Sequence, residues 1–427
     1  MTDCVTTGGE EVGYIFAVAL GLGVIALGVL AVLVLRRRSG SVVGLMLAIV
    51  LGVSAAGSAP PATAHAGEVC PMIQVDSNVA FASGEVIIHG SYRAPVDESV
   101  PVAAAVIVGG TGAVDRDGNG AGILMEQYAW LADMLADQGI ASLRYDKIGT
   151  GETGLGPYAN EPDSLLTHGY DELRIQPVRD ALSFLAAQPG IDARRLILIG
   201  HSEGGAVTIS VAGDPGTAPA PAGLLLIEPS YDRILDVIPQ QLAQQIDIAV
   251  SGAQMTLEDA TTLKTWLAEG VDQIRTGAQP YPTPGPVPLP DADNYTALIQ
   301  STIENNIYGS DPAQMVISHA YRTPYGQQFD EIDAAAIAPT IAIPVLVTCG
   351  SKDFNTPCGD GSPGSGVAYM AAQFAPGVAH FVELRNVVHI LRDVGEADAP
   401  GLADQVTHPF SSQLEREVTA FVAQFRH

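Results

Sequence analysis

The stretch Gly200-His201-Ser202-Glu203-Gly204 carries a G-x-S-x-G pattern. The apolar run Leu196-Ile197-Leu198-Ile199 precedes it and the helix-compatible run Gly205-Ala206-Val207-Thr208-Ile209-Ser210-Val211 follows. A serine at the apex of a sharp strand-to-helix turn has its hydroxyl exposed and its backbone strained, which suits a nucleophile. Glycines two before and two after are needed because side chains there would collide when strand reverses into helix. The bland alternative is a turn of small residues, in a chain with 46 glycines, that happens to contain serine. The strand and helix on either side favour the nucleophile.

A serine hydroxyl attacks only when an imidazole takes its proton, and that imidazole needs a carboxylate to orient it. In a strand–turn–helix site of this kind the chain order is serine, acid, histidine. Asp353 follows the apolar run that ends at Cys349, and His389 follows the run that ends at Leu384, so both fall just past a strand. Glu228, after the strand that follows Ser202, is the rival acid; the alternative for it is a hinge residue. His380 and His319 read as structural or substrate-lining, and His201 as a local packing or bonding residue. Developing negative charge on a substrate oxygen calls for two amides. Glu203, next after the serine, is one, and Thr111 in the turn Gly109-Gly110-Thr111-Gly112 is the other.

The elements that must position these residues alternate. Residues 79–81 and 85–92 form a strand pair, and 103–109, 140–144, 196–199, 223–227, 344–349 and 378–384 read as strands. Helices are expected over 124–136, 170–188, 367–374 and 411–425. Val102–Val108 lacks polar alternation, as in a strand buried on both faces. Strands alternating with helices predict an α/β fold with a mostly parallel, doubly wound sheet. From 231 to 343 the alternation stops: 236–250, 257–275 and 294–308 read as helices and the Pro-rich 279–290 as a linker. The predicted organisation is a leader over 1–66, a core over 67–230, a largely helical cap insertion over 231–343 and the rest of the core over 344–427.

Three motifs together carry a resemblance. Gly110-Thr111-Gly112-Ala113-Val114-Asp115-Arg116-Asp117-Gly118, Arg144-Tyr145-Asp146-Lys147-Ile148-Gly149-Thr150-Gly151 and Gly200-His201-Ser202-Glu203-Gly204 resemble bacterial α/β-hydrolases of the esterase and dienelactone-hydrolase-like group. That group shares a G-[ST]-G-x-x-D-R-D-G loop, an R-Y-D-K-R-G-x-G turn and a G-H-S-E-G elbow. The resemblance implies an α/β-hydrolase fold, a Ser202/Asp353/His389 triad and hydrolysis of carboxylic esters. Gly109 stands where many relatives have histidine, and Ile148 where they have arginine. The cap resembles nothing in the group.

Composition excludes other classes. The formal net charge is −27, with lysine only at 147, 264 and 352, so no basic surface is available for nucleic acid. Asp115-Arg116-Asp117-Gly118-Asn119-Gly120 followed by Glu126 satisfies a calcium-loop pattern. A strand precedes it, however, and Gly122 replaces the usual apolar residue, so no metal or cofactor is expected. Residues 12–35 are long and apolar enough to span a bilayer, and Arg36-Arg37-Arg38, a second apolar run and Ala64-His65-Ala66 look like a cleavable export signal. Either version puts the domain outside the cytoplasm, membrane-anchored or secreted, where Cys349 and Cys358 can oxidise. The expected function is an exported serine hydrolase acting on a small-molecule ester. A peptidase or amidase of the aminopeptidase type and a catalytically idle cell-surface binding protein are the alternatives.

Overall fold

A computed structural model describes residues 72–120, 122–276, 321–396 and 401–426. The leader, Cys4, Cys70, His319 and the readings over 279–290 and 294–308 lie outside the described residues. Among the described residues no helix is long and apolar enough to cross a membrane.

Eight strands form one sheet: β1 (Ser77–Ser83), β2 (Val86–Arg93), β3 (Val102–Val108), β4 (Ala141–Tyr145), β5 (Ile191–His201), β6 (Gly223–Ile227), β7 (Val345–Gly350) and β8 (Ala379–Leu384), in the order β1-β2-β4-β3-β5-β6-β7-β8. The β1–β2 pair is an antiparallel hairpin in which Ser83 faces Val86, and β2 also runs antiparallel to β4. From β4 to β8 every pairing is parallel. Parallel neighbours need crossovers, and helices cover both faces: α1 (Gln127–Asp137), α2 (Gln176–Ala186) and α3 (Glu203–Gly213) between strands, and α7 (Ser412–Val422) at the end. The two-residue period of a strand sends Ala103, Ala105 and Ile107 to the α1 and α7 side, with Leu131, Leu135, Leu414 and Val418. Ala104, Val106 and Val108 pack on the other side with Val178, Leu182, Val207 and Ile209. All seven residues of β3 are buried, which is why that segment shows no alternation.

Between β6 and β7 the chain leaves the sheet and forms α4 (Ile234–Ser251), α5 (Leu257–Thr276) and α6 (Pro324–Asp330). Arg275 pairs with Asp236 of α4 and Asp330 of α6, and Arg233 also bonds Asp330, tying the three helices together. Gln241 of α4 donates to the Asn355 carbonyl, beside Asp353, at 2.5 Å. The architecture is an α/β-hydrolase fold.

Some boundaries differ from the sequence expectation for local reasons. The helix read from Leu124 starts at Gln127 because Glu126 takes a left-handed φ of 58°, which no helix continues through. The helix read over 170–188 opens with a π-helical turn, Asp171–Ile175, before α2. β5 extends back to Ile191 through the polar Asp192-Ala193-Arg194-Arg195, outside the apolar run.

Candidate active site

Ser202 sits between β5 and α3 with φ 56° and ψ −124°, a conformation an L-residue adopts only when its surroundings force it. A side chain on Gly204 would run into the Val108 carbonyl of the neighbouring strand, so only glycine lets α3 start this close to β3. The Gly109–Gly112 turn closes from the other side. A Cβ added to Gly110 would lie 2.8 Å from the Ser202 Cβ and 3.3 Å from its Oγ.

The loops after β7 and β8 bring the other two residues to the serine. His389 Nδ1 lies 2.7 Å from Asp353 Oδ2, and Nε2 lies 3.0 Å from Ser202 Oγ. Because the carboxylate only accepts, Nδ1 carries the proton and Nε2 is left to accept from the serine hydroxyl. Asp353 Oδ1 accepts the amides of Asn355 at 2.7 Å and Thr356 at 3.1 Å, and the Thr356 hydroxyl lies 2.7 Å from Oδ2. Burial opposes the Asp353 charge, yet the His389 imidazole and the bonds from His389 and Thr356 hold its carboxyl well below the usual range. A disulfide joins Cys349 to Cys358 and closes the short loop that carries Asp353 and Thr356.

His201, the serine's neighbour, is buried and bridges the two sides of the site. Its Nε2 lies 2.9 Å from the His389 carbonyl, and its Nδ1 lies 2.9 Å from the Tyr128 hydroxyl. That hydroxyl accepts the Gly110 amide at 2.8 Å. The directions close consistently: Nε2–H donates to the carbonyl, the tyrosine O–H donates to Nδ1, and the glycine N–H donates to the tyrosine oxygen. Burial, reinforced by the charge of His389, brings the His201 pKa down to about 3, so the ring is neutral. It therefore serves as a neutral bridge, and its bonds run to residues distant in the sequence rather than to the local ones its place beside the serine suggests.

Thr111 follows Gly110 and is exposed at the mouth of the site, while the Glu203 amide belongs to the first turn of α3, whose N–H groups lack partners inside the helix. The turn is pinned by Lys147, whose Nζ donates to the Gly110 and Gly112 carbonyls. Burial lowers the Lys147 pKa to about 7. The Glu203 side chain is buried and accepts from the Tyr170 hydroxyl at 2.8 Å and Arg174 Nε at 2.9 Å. Burial would raise its pKa, but the Arg174 and Lys147 charges bring it down. Tyr170 stacks on Phe329 of α6 with ring centres 4.4 Å apart, which links the inserted helices to the elbow.

Of the rivals, His380 is exposed near Glu417, and Glu228 is buried with its carboxyl close to Asp353. Glu228, Asp353 and His389 bring possible ligand atoms within 4.8 Å of one another, but both ring nitrogens of His389 are already engaged by protein partners. The calcium-like loop is tied by its own bonds. Asp115 Oδ1 accepts the Asp117 and Asn119 amides, Asp117 pairs with Arg144, and Asn119 accepts the Glu126 amide. Sequence reasoning assigned no role to Tyr128, Lys147 or Thr356. Only Thr356 carried a local signal, a hydroxyl three residues past an aspartate in a turn.

A model of the family described as serine aminopeptidase, S33, matches residues 119–359, more than half of the chain. The chain belongs to this family. With the sheet topology, that makes it a hydrolase of the α/β-hydrolase superfamily. Solved structures it is similar to include a hypothetical protein from Pseudomonas aeruginosa (15% identity, 82% of this chain and 93% of that one, TM-score 0.46). Others are the alpha/beta hydrolase GrgF from Penicillium sp. sh18 (14%, 82% and 99%, 0.45) and an esterase from Pyrococcus furiosus (12%, 82% and 93%, 0.43). No curated protein matches the sequence.

Proposed function

We propose that this S33-family hydrolase cleaves carboxylic esters of small molecules through an acyl-enzyme on Ser202. The observation that carries the reading is the continuous hydrogen-bonded chain from Ser202 Oγ through His389 to Asp353 at a strained elbow. Ser202 Oγ attacks the acyl carbonyl while His389 Nε2 takes its proton, and Asp353 stabilises the imidazolium that forms. The amides of Thr111 and Glu203 receive the oxyanion. Collapse breaks the bond to the alcohol, which leaves with the proton from Nε2. Water then attacks the acyl carbon by the same route, with His389 again as base, and releases the acid. No step needs a metal or cofactor.

The motifs of the Gly110–Gly118 loop, the Arg144–Gly151 turn and the elbow favour the esterase and dienelactone-hydrolase-like group. The segment from 231 to 343 acts as the cap that decides what reaches the serine, and the hydrogen bond from α4 to the Asp353 loop and the stacking of α6 Phe329 on Tyr170 support this. The Cys349–Cys358 bridge supports an exported, membrane-anchored or secreted enzyme, since such bonds persist outside the cytoplasm. A second reading, an aminopeptidase, rests on the description of the family that matches.

Purified protein assayed side by side on p-nitrophenyl esters and aminoacyl p-nitroanilides separates the two readings: esters should be preferred. Ser202→Ala should lower kcat by roughly 10³-fold or more and abolish labelling by a fluorophosphonate. A Ser202→Ala protein that turns esters over at the wild-type rate would sink the mechanism. Failure of folded wild-type protein to take up the probe would favour a binding role instead.

A further inference from the structure

The proposed chemistry at Ser202 leaves one buried acid unused. Glu228 follows the last residue of β6, takes a left-handed φ of 47°, and is completely buried. Neither of its carboxyl oxygens meets a donor at hydrogen-bonding geometry. Its polar neighbours are the Gly350 amide and the carboxyl of Asp353. The missing side chain of Gly350 leaves it uncrowded, since a Cβ there would stand 3.0 Å from Glu228 Oε1. The Glu228 carbonyl, 2.9 Å from the Thr356 hydroxyl, shares that hydroxyl's single proton with Asp353 Oδ2 at 2.7 Å.

Two carboxyl groups side by side in a buried site do not both ionise, so one must hold a proton. The donors decide which. Asp353 faces the imidazole N–H of His389, two backbone amides and the Thr356 hydroxyl, all of which stabilise a carboxylate. Glu228 has no such set, and an unpaired buried carboxylate is far costlier than a neutral acid. A protonated carboxyl is a donor, and the acceptor beside it is Asp353. From this geometry we propose that Glu228 is held as a neutral carboxylic acid whose O–H donates to Asp353, making it a positioning residue for the carboxylate that orients His389. Burial, with the Asp353 charge alongside, pushes the Glu228 carboxyl far above its ordinary range, in the same direction.

The inference rests on the proposed roles of Asp353 and His389. A charge-assisted bond of this kind fixes the carboxylate's rotation and takes up part of its negative charge. Asp353 then attracts a proton on His389 less strongly than a lone carboxylate would. Among the described residues, the titratable groups that face the pair are His389, the neutral ring of His201 beyond it, and the Tyr231 phenol.

Full-length Glu228→Gln and Glu228→Leu variants test this, read by the pH profile of kcat/KM on a p-nitrophenyl ester and by the downfield proton NMR signal of His389 Nδ1–H. The glutamine keeps a neutral donor, so kcat/KM should stay within about threefold and the acid limb should not move. Leucine removes the donor: kcat should fall about tenfold with KM unchanged, the acid limb should rise by roughly half a pH unit, and the NMR signal should shift. An acid limb that drops by about one pH unit in Glu228→Gln would show that the wild-type residue is ionised, overturning the proposal. So would a leucine variant with wild-type kcat and an unmoved NMR signal. If leucine prevents folding, the glutamine profile still decides. The NMR signal needs no turnover, so it reads the Glu228–Asp353 bond even if Ser202→Ala shows the nucleophile to lie elsewhere.

Discussion

The two halves of the site are built differently. The Ser202 half stands on β3 and β5, near the middle of the sheet, and its geometry is set by absent side chains: Gly110 against the serine and Gly204 against the Val108 carbonyl. The Asp353–His389 half hangs from the ends of β7, a strand buried along its length, and of β8, the edge strand, in which only Leu384 is fully buried. That half is held by side-chain bonds and a disulfide. A buried parallel strand fixes a backbone by packing on both faces, so the strands of the central half need only space, and Lys147 and Tyr128 pin the Gly110 turn between them. The loops after β7 and β8 have left the sheet, lack that packing and have to be tied.

If this contrast is right, the central half should fail through volume. In Gly110→Ala the new methyl would stand 2.8 Å from the Ser202 Cβ and 3.3 Å from its Oγ, with the His201 carbonyl also at 3.3 Å. Relief requires the elbow and the Gly109–Gly112 turn to separate, and misplacement of this kind costs on the order of 10²-fold in kcat/KM. Thermal stability should change little by comparison. Steady-state kinetics with a melting curve checks this; a variant with near wild-type kcat/KM would show that the turn yields freely and would break the comparison.

The edge half should fail through loss of ties. Cys349 and Cys358 enclose Asp353 and Thr356, and for a loop this short the chain-entropy argument gives about 2.5 kcal/mol. A Cys349→Ala/Cys358→Ala protein should lose about that much in a urea titration, with kcat reduced by roughly threefold to tenfold as the Asp353 loop loosens. Unchanged kcat would mean that the Thr356 hydroxyl and the amides of Asn355 and Thr356 hold the carboxylate without help.

The same contrast explains what the sequence made legible. Packing in the central half is local to each strand, so the apolar runs at Val102–Val108 and Leu196–Ile199 announce buried strands, and the glycines around Ser202 announce the elbow. Asp353 and His389 were identifiable by order, each just past a strand. The ties around the Gly110 turn and His201 were not, because those contacts cross the chain: Tyr128 reaches His201 over 73 residues and Lys147 reaches Gly110 over 37. No periodicity encodes such a bond. Glu228 shows the limit most clearly. Its place after β6 made it a rival acid in the sequence, and only the space beside Gly350 and the donors gathered on Asp353 separate the two carboxyls. Helix ends were misplaced where one residue decides them, as at Glu126 with its positive φ.

His201 is where the two halves meet, since it bonds the His389 carbonyl on one side and, through Tyr128, the Gly110 amide on the other. Its contribution should depend on pH in a definite direction. Burial and the His389 charge bring its folded pKa down to about 3 from an ordinary 6.5. Above pH 6.5 the ring is neutral in both folded and unfolded chains, and its stabilising bonds are fully present. As pH falls below 6.5 the unfolded chain binds a proton that the folded one does not, so stability is lost until the folded pKa is reached. Between pH 7.5 and 5 the wild type should therefore lose about 2 kcal/mol more than His201→Asn, which has no proton to gain. Urea midpoints of both proteins at the two pH values measure the difference. A gap that stays constant with pH would mean that the ring is charged or hydrated in the folded protein. The bridge from His389 to the Gly110 turn would then not run through a neutral imidazole, and the two halves would be coupled by packing alone.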